Sequence, residues 1–235
     1  VRIISSENRI MGYGLYSRTD SIAVRVIMGA SEDFLASMES RIRKALQLRK
    51  KTILNLGSTT NCFRLLNAEG DGCPGLIIDI YNNVAVMQCH SVGMKLKANE
   101  LAEIVTKVLP SIEVVYCKSS VSTRGENPDF YILGNTSEGE VLENGLKYQV
   151  NWETGQKTGM FIDQRDNRKL LSEISKDKKV LNSFCYTGGF SLSALAGGAA
   201  KVVSVDSSAS ALELTRKHVE LNGFSSTSHE VIEAD

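Results

Sequence analysis

Three rhythms of apolar and polar residues divide the chain. From residue 1 to 28 the apolar positions alternate loosely, through Val1 and Ile3, then Tyr13, Leu15 and Tyr16, then Ile22, Val24 and Val26. Such alternation predicts short antiparallel strands with turns at Glu7-Asn8 and Arg18-Thr19-Asp20. From 31 to 50 the spacing turns helical, with Leu35, Met38, Ile42, Ala45, Leu46 and Leu48 on one stripe. Ser31 stands where a cap belongs, Glu32 and Asp33 suit the positive end, and Arg49-Lys50-Lys51 suit the other. Arg41, Arg43 and Lys44 fall mostly off the stripe, on a face read first as solvated, with RNA contact as the alternative.

The middle of the chain mixes both periods. After the run Phe63–Ala68 and the glycine-rich Glu69–Gly75, strands are expected at Leu76–Ile80 and Val84–Cys89, turning at Asn82-Asn83. A helix over Lys95–Leu109 stops at Pro110, followed by strands at Val114–Lys118 and Tyr131–Leu133. Glu140–Glu143 and Lys147–Trp152 then flank Asn144-Gly145, a strong hairpin signal. Beyond it the pattern becomes α/β. A helix over Gln164–Ser175, capped by Asp163, turns Leu170, Leu171 and Ile174 inward. A buried strand at Val180–Phe184, a turn at Tyr186–Gly189, a helix at Phe190–Ala196 and a strand at Lys201–Val205 come next. The last helix, Ser207–Leu221, offers Ala211, Leu212, Leu214, Val219 and Leu221 to a core and ends at Asn222-Gly223.

Composition narrows the class. A chain of 235 residues with 42% hydrophobic residues can bury one or two cores. Formal net charge is zero, so a polyanion partner must be sought in local patches. Five scattered cysteines without a C-x-x-C pair suggest reduced thiols, hence a cytoplasmic protein, with an organelle interior left open. No apolar run reaches the roughly 20 residues that span a bilayer, so a membrane is not expected as a partner. Val1 starts inside a strand-like run, and three parallel strands are too few for a doubly wound sheet. The chain is therefore expected to be part of a longer protein.

The candidate chemistry sits between Lys157 and Asp206. A strand, a turn carrying Gly188-Gly189, a helix, a second strand and the acid Asp206 form an arrangement that holds adenosine-containing cofactors. Asp206 follows Gly188 by 18 residues, close to the roughly 20 expected for an acid that accepts from ribose hydroxyls. The turn Cys185-Tyr186-Thr187-Gly188-Gly189-Phe190 has no G-x-G-x-x-G spacing, which tilts the choice from a dinucleotide toward S-adenosylmethionine (SAM). Asp235, after the next strand, reads either as an acceptor for the adenine amine or as an ordinary loop acid. The start of the helix at Gln164 can hold a carboxylate through backbone amides with Gln164 or Arg165, unless Arg165 simply pairs with a neighbouring acid. Cys185 has no neighbouring base and reads as packing, not as a nucleophile. His90, His218 and His229 lack metal-ligand spacing, and His218 reads as part of a solvated face.

Four stretches carry a family resemblance: GQKTGMFIDQRDNR (Gly155–Arg168), VLNSFCYTGGFSLSALAGGAAKVVSVDSS (Val180–Ser208), HVELNGF (His218–Phe224) and EGDGCPGLIIDIYNN (Glu69–Asn83). Together they resemble the RlmI-type SAM-dependent large-subunit rRNA methyltransferases. The resemblance implies an α/β chain: the last strands of a PUA-like β-barrel over 1–28, a central β-β-α-β-β domain over 29–140, and the first half of a Rossmann-like class I methyltransferase domain over 141–235. It implies that Phe184, Tyr186, Thr187 and Gly188 line the SAM pocket, that Asp206 with Ser207 takes the ribose and Asp235 the adenine end, and that Phe161, Gln164 and Arg165 close over the methionine. The family's D-P-P-x-F segment and catalytic cysteine would lie beyond Asp235, and Cys185 does not match that position. No catalytic residue and no metal ligand is therefore expected here, and the chain by itself is expected to be inactive. The implied reaction is methylation of carbon 5 of a cytosine in 23S-type rRNA. Guanine-N7 methylation, a non-catalytic RNA-binding or assembly module, and a homodimer stay open.

Overall fold

The structure, a computed structural model, describes residues 1–18, 21–29, 33–53, 59–119 and 129–234. They divide into two compact units. The first takes Val1–Asn55, Asn61–Ser137 and Trp152–Gly159, and the second takes Leu56–Thr60, Glu138–Asn151 and Met160–Asp235.

In the first unit, β1 (Arg2–Ile4), β2 (Ile10–Tyr16) and β3 (Val24–Gly29) form an antiparallel sheet in sequence order. Helix α1 (Phe34–Thr52) is capped by the Asp33 carboxylate, which accepts from Ala36 N at 2.9 Å. Ser31 and Glu32 lie outside the described residues. The stripe is narrower than expected. Met38, Ile42, Ala45 and Leu46 are buried, whereas Leu35 and Leu48 are exposed at its margins.

A five-stranded sheet follows in the order β4 (Cys62–Asn67), β5 (Leu76–Tyr81), β6 (Val84–Cys89), β7 (Val114–Cys117) and β8 (Phe130–Leu133). Asn82, in left-handed backbone, makes the expected β5–β6 turn. Only β6 and β7 are parallel, because the chain crosses over between them through α2 (Val92–Leu96) and α3 (Ala98–Val108). The single helix expected over Lys95–Leu109 is thus two helices, broken at Lys97. With the break there, Met94 and Leu101 are both fully buried and Leu96 is left outside. The core joins α1 and α3 to one sheet face through Met38, Ile42, Leu65, Ile78, Leu101 and Val105.

The second unit begins with the hairpin β9 (Glu138–Glu143) and β10 (Leu146–Asn151). Asn144 and Gly145 both take positive φ, the two-residue turn that matches strand twist. Strands β11 (Lys179–Ser183), β12 (Lys201–Asp206) and β13 (His229–Glu233) form a parallel sheet in sequence order. Helices α5 (Gly189–Ala196) and α6 (Ala209–Leu221) are the crossovers and pack on one face of it. Strand β11 is not buried as expected. Its side chains alternate, and Leu181 points to the face opposite α5 and α6, 67% exposed.

Helix α4 (Arg165–Ile174) corrects two further expectations. A 3-10 turn over Ile162–Gln164 leads into it, and Gln164 rather than Asp163 occupies the cap position, without a side-chain capping bond of its own. Leu170 and Ile174 face outward, because the buried face carries Arg165 and Arg168. Helices α4 and α5 approach so closely that a Cβ on Gly197 would collide with the Ser172 carbonyl. Backbone conformation is no obstacle at Gly197, where φ is −76°. Gly197→Ala should therefore destabilise the fold by about 1–3 kcal/mol through overpacking alone. Urea unfolding checks this: the midpoint should fall at constant slope, and an unchanged midpoint would contradict the packing described.

Candidate functional site

The residues between β11 and α5 follow an unusual backbone path. Phe184, Tyr186 and Gly188 all lie in the left-handed region, with φ of 58°, 48° and 74°. For the two aromatic residues this costs of the order of 1–3 kcal/mol each, so the turn must be held from outside. Asp206, at the end of β12, supplies one restraint. Its Oδ2 accepts from Tyr186 N at 2.8 Å and its Oδ1 from Ser208 N at 2.9 Å. Helix α6 supplies two more. Thr215 Oγ1 shares its hydrogen between Tyr186 O at 3.1 Å and Ala211 O at 2.9 Å, and His218 Nδ1 lies 2.9 Å from Thr187 O. Gly188 has both of glycine's reasons: its φ is positive, and a Cβ would run into the Thr215 side chain.

The second wall of the site comes from the segment entering α4. The Phe161 ring meets the Tyr186 ring edge-on, with centroids 5.5 Å apart. Phe161 is fixed through its carbonyl, which accepts from Arg168 Nη2 at 3.0 Å. Arg168 is buried and forks onto Glu143 of β9 at 2.6 and 2.7 Å. Arg165 Nε stands 3.6 Å from the same carboxylate. Two guanidinium groups thus approach one buried carboxylate. Gln164 Oε1 accepts from Asn167 Nδ2 at 2.9 Å.

The structure therefore gathers Phe161, Tyr186, Thr187, Gly188 and Asp206 around one turn. Arg165 is drawn toward Glu143, the pairing with a neighbouring acid that the sequence left open. Phe184 is 86% exposed and Ser207 is exposed. Asp235 lies outside the described residues. Cys185 is buried, and desolvation followed by the nearby Asp206 carboxylate raises its thiol pKa, which does not favour a thiolate nucleophile.

His218 does not lie on a solvated face. It is 1% exposed, and burial lowers its pKa against backbone hydrogen bonds to Thr187 and Gln149 that raise it. Sequence reasoning missed its role, and those of Glu143, Arg168 and Thr215. A signal existed for two of them. Thr215 and His218 fall on the same helical stripe as Leu212 and Val219, and polar residues on an apolar stripe need buried partners.

A strand, a strained turn pinned by the next strand's acid, and a helix starting at the turn place these residues at the carboxyl end of a parallel sheet, where ligands of open α/β folds bind. Residues 126–232 match the family described as S-adenosylmethionine-dependent methyltransferase. That match covers just under half of the chain. Among curated relatives, "Ribosomal RNA large subunit methyltransferase I" of Alteromonas mediterranea is 38% identical over 231 residues, 95% of this chain and 57% of that protein. The protein of the same name from Pseudoalteromonas atlantica is 37% identical, over 100% of this chain and 60% of its own. The chain thus spans about three fifths of the length of these methyltransferases. The crystal structure of SMU.776 complexed with SAH matches all of this chain and 61% of that one, with a TM-score of 0.87 and 25% identity. The fold is that of a class I methyltransferase-like α/β protein, and the cofactor of the family is SAM.

The Glu143 cluster carries a stability prediction. Glu143→Ala would leave two buried guanidinium groups without their carboxylate and should cost about 3–5 kcal/mol. Chemical denaturation measures it, and a loss below about 1 kcal/mol would show that the pair behaves as a surface contact.

Proposed function

We propose that the chain forms part of a SAM-dependent methyltransferase acting on large-subunit ribosomal RNA. Two lines support this reading: relatives of that name aligned along the whole chain, and the geometry at Asp206. The Asp206 geometry carries the cofactor half. Each oxygen of this carboxylate accepts one backbone N–H, and an ionised carboxylate offers about four lone-pair sites. The remaining sites lie at the carboxyl end of a parallel sheet, where ligands of open α/β folds bind. The ribose hydroxyls of SAM are the donors we assign to them.

When bound, SAM supplies a sulfonium methyl group as the electrophile. The residues here bind and orient it. Tyr186, Thr187 and Gly188 form its floor, Phe161 a wall, and Gln164 and Arg165 face its methionine carboxylate. Phe184, Ser207 and Asp235 complete the proposed set. Carbon 5 of a cytosine is the acceptor we propose. Residues 1–28 and 29–140 are assigned to a PUA-like domain and a central domain that present the RNA.

Calorimetric titration with SAM tests the cofactor half. Asp206→Ala should weaken binding by about 1–3 kcal/mol, the cost of hydroxyls left without their acceptor. Equal affinity of the variant and the unmodified chain would show that the ribose lies elsewhere.

A further inference from the structure

A trans peptide joins the carbonyl of one residue to the amide of the next, and the two point opposite ways. Taken plane by plane, the backbone from Cys185 to Gly188 leaves one group over. Cys185 N donates to Val205 O at 2.9 Å, and Cys185 O accepts from Gly188 N at 2.9 Å. Tyr186 N donates to the Asp206 carboxylate, and Tyr186 O accepts from Thr215 Oγ1. Thr187 O has His218 Nδ1 at 2.9 Å, and Gly188 O accepts from Leu192 N at 2.9 Å. The Thr187 N–H has no acceptor among the described residues, in a stretch where the other backbone groups are matched.

That N–H belongs to the same peptide as the Tyr186 carbonyl. Thr215 therefore sets its direction: by drawing the carbonyl toward α6, it turns the N–H away from the helix. The Thr215 hydrogen is shared with Ala211 O, one turn back in α6, but the Ala211 carbonyl also stands in the helix ladder. The Cys185 thiol, 3.5 Å from Tyr186 O, is a second and weaker donor to that carbonyl. Thr215 is fully buried. Its methyl lies against Gly188, where a Cβ would come within 2.4 Å of Thr215 Cγ2. Both branches of one side chain thus bear on the turn.

We propose that Thr215 is a positioning residue for the cofactor: its hydroxyl, by holding Tyr186 O, presents the Thr187 N–H to the methionine carboxylate of SAM. The inference rests on the SAM reading above and extends it to a side chain that lies behind the turn. The carboxylate is the anionic group of SAM, and a hydrogen bond to an ionised acceptor is roughly twice as strong as one to a neutral acceptor.

Two variants divide the side chain. Thr215→Val keeps the methyl and the shape and removes the hydroxyl, whereas Thr215→Ser keeps the hydroxyl and removes the methyl. Calorimetric titration with SAM and with decarboxylated SAM, which lacks only the carboxylate, separates positioning from general damage to the turn. The Val variant should lose about tenfold in affinity for SAM and stay within about threefold for decarboxylated SAM. The Ser variant should stay within about threefold for both. Equal losses for the two ligands in the Val variant, or none for either, would overturn the proposal and leave Thr215 a purely structural residue. If the Val variant does not fold, the unmodified chain decides. Its Thr187 amide proton should move downfield with SAM and not with decarboxylated SAM, and equal shifts would refute the proposal. Failure of the unmodified chain to bind either ligand would instead overturn the SAM reading, and this role with it.

Discussion

The turn from Phe184 to Gly188 is the constraint on which the second unit depends. Alternate residues sit in left-handed backbone, and two of them carry aromatic side chains that disfavour it. A chain left to itself would relax this path. It persists because three groups from outside the turn hold it: the Asp206 carboxylate, the Thr215 hydroxyl and the His218 imidazole. Each bond is worth about 1 kcal/mol, somewhat more at the charged carboxylate, so their sum is comparable to the strain they oppose.

The hairpin β9–β10 is what fixes those holding groups. Its β10 edge seats α6 through His218 and Asn222, and so places Thr215 and His218 behind the turn. Its β9 strand ends in Glu143, which holds Arg168 and through it the Phe161 carbonyl. Both sides of the site are therefore referred to one short hairpin. The buried Glu143–Arg168 pair adds little stability over a well-packed apolar pair. Its consequence is geometric, because a bidentate fork fixes the direction of α4 as well as its distance.

The frame of this arrangement was legible in the sequence. Asn144-Gly145 announced the hairpin, and the succession of strand, glycine turn, helix, strand and acid announced the parallel unit. Side-chain direction was less legible wherever a partner came from far along the chain. Leu170 and Ile174 looked like the inner face of α4, yet Glu143, more than twenty residues earlier, draws Arg165 and Arg168 inward. His218 looked solvated beside Arg216 and Lys217, although its helical register already set it among Leu212, Thr215 and Val219. Apolar composition made β11 look buried. Composition reports what could be covered, and Leu181 lies on the sheet face opposite α5 and α6.

The Thr187 amide shares its peptide with the Tyr186 carbonyl that Thr215 holds, so it turns outward from the braced bend, without an acceptor among the described residues. Backbone 1H–15N spectra recorded during a SAM titration observe it directly. The Thr187 resonance is predicted to move progressively to saturation, among the largest shifts in the second unit. A titration that binds SAM while the amides from Phe184 to Gly188 stay fixed would contradict it.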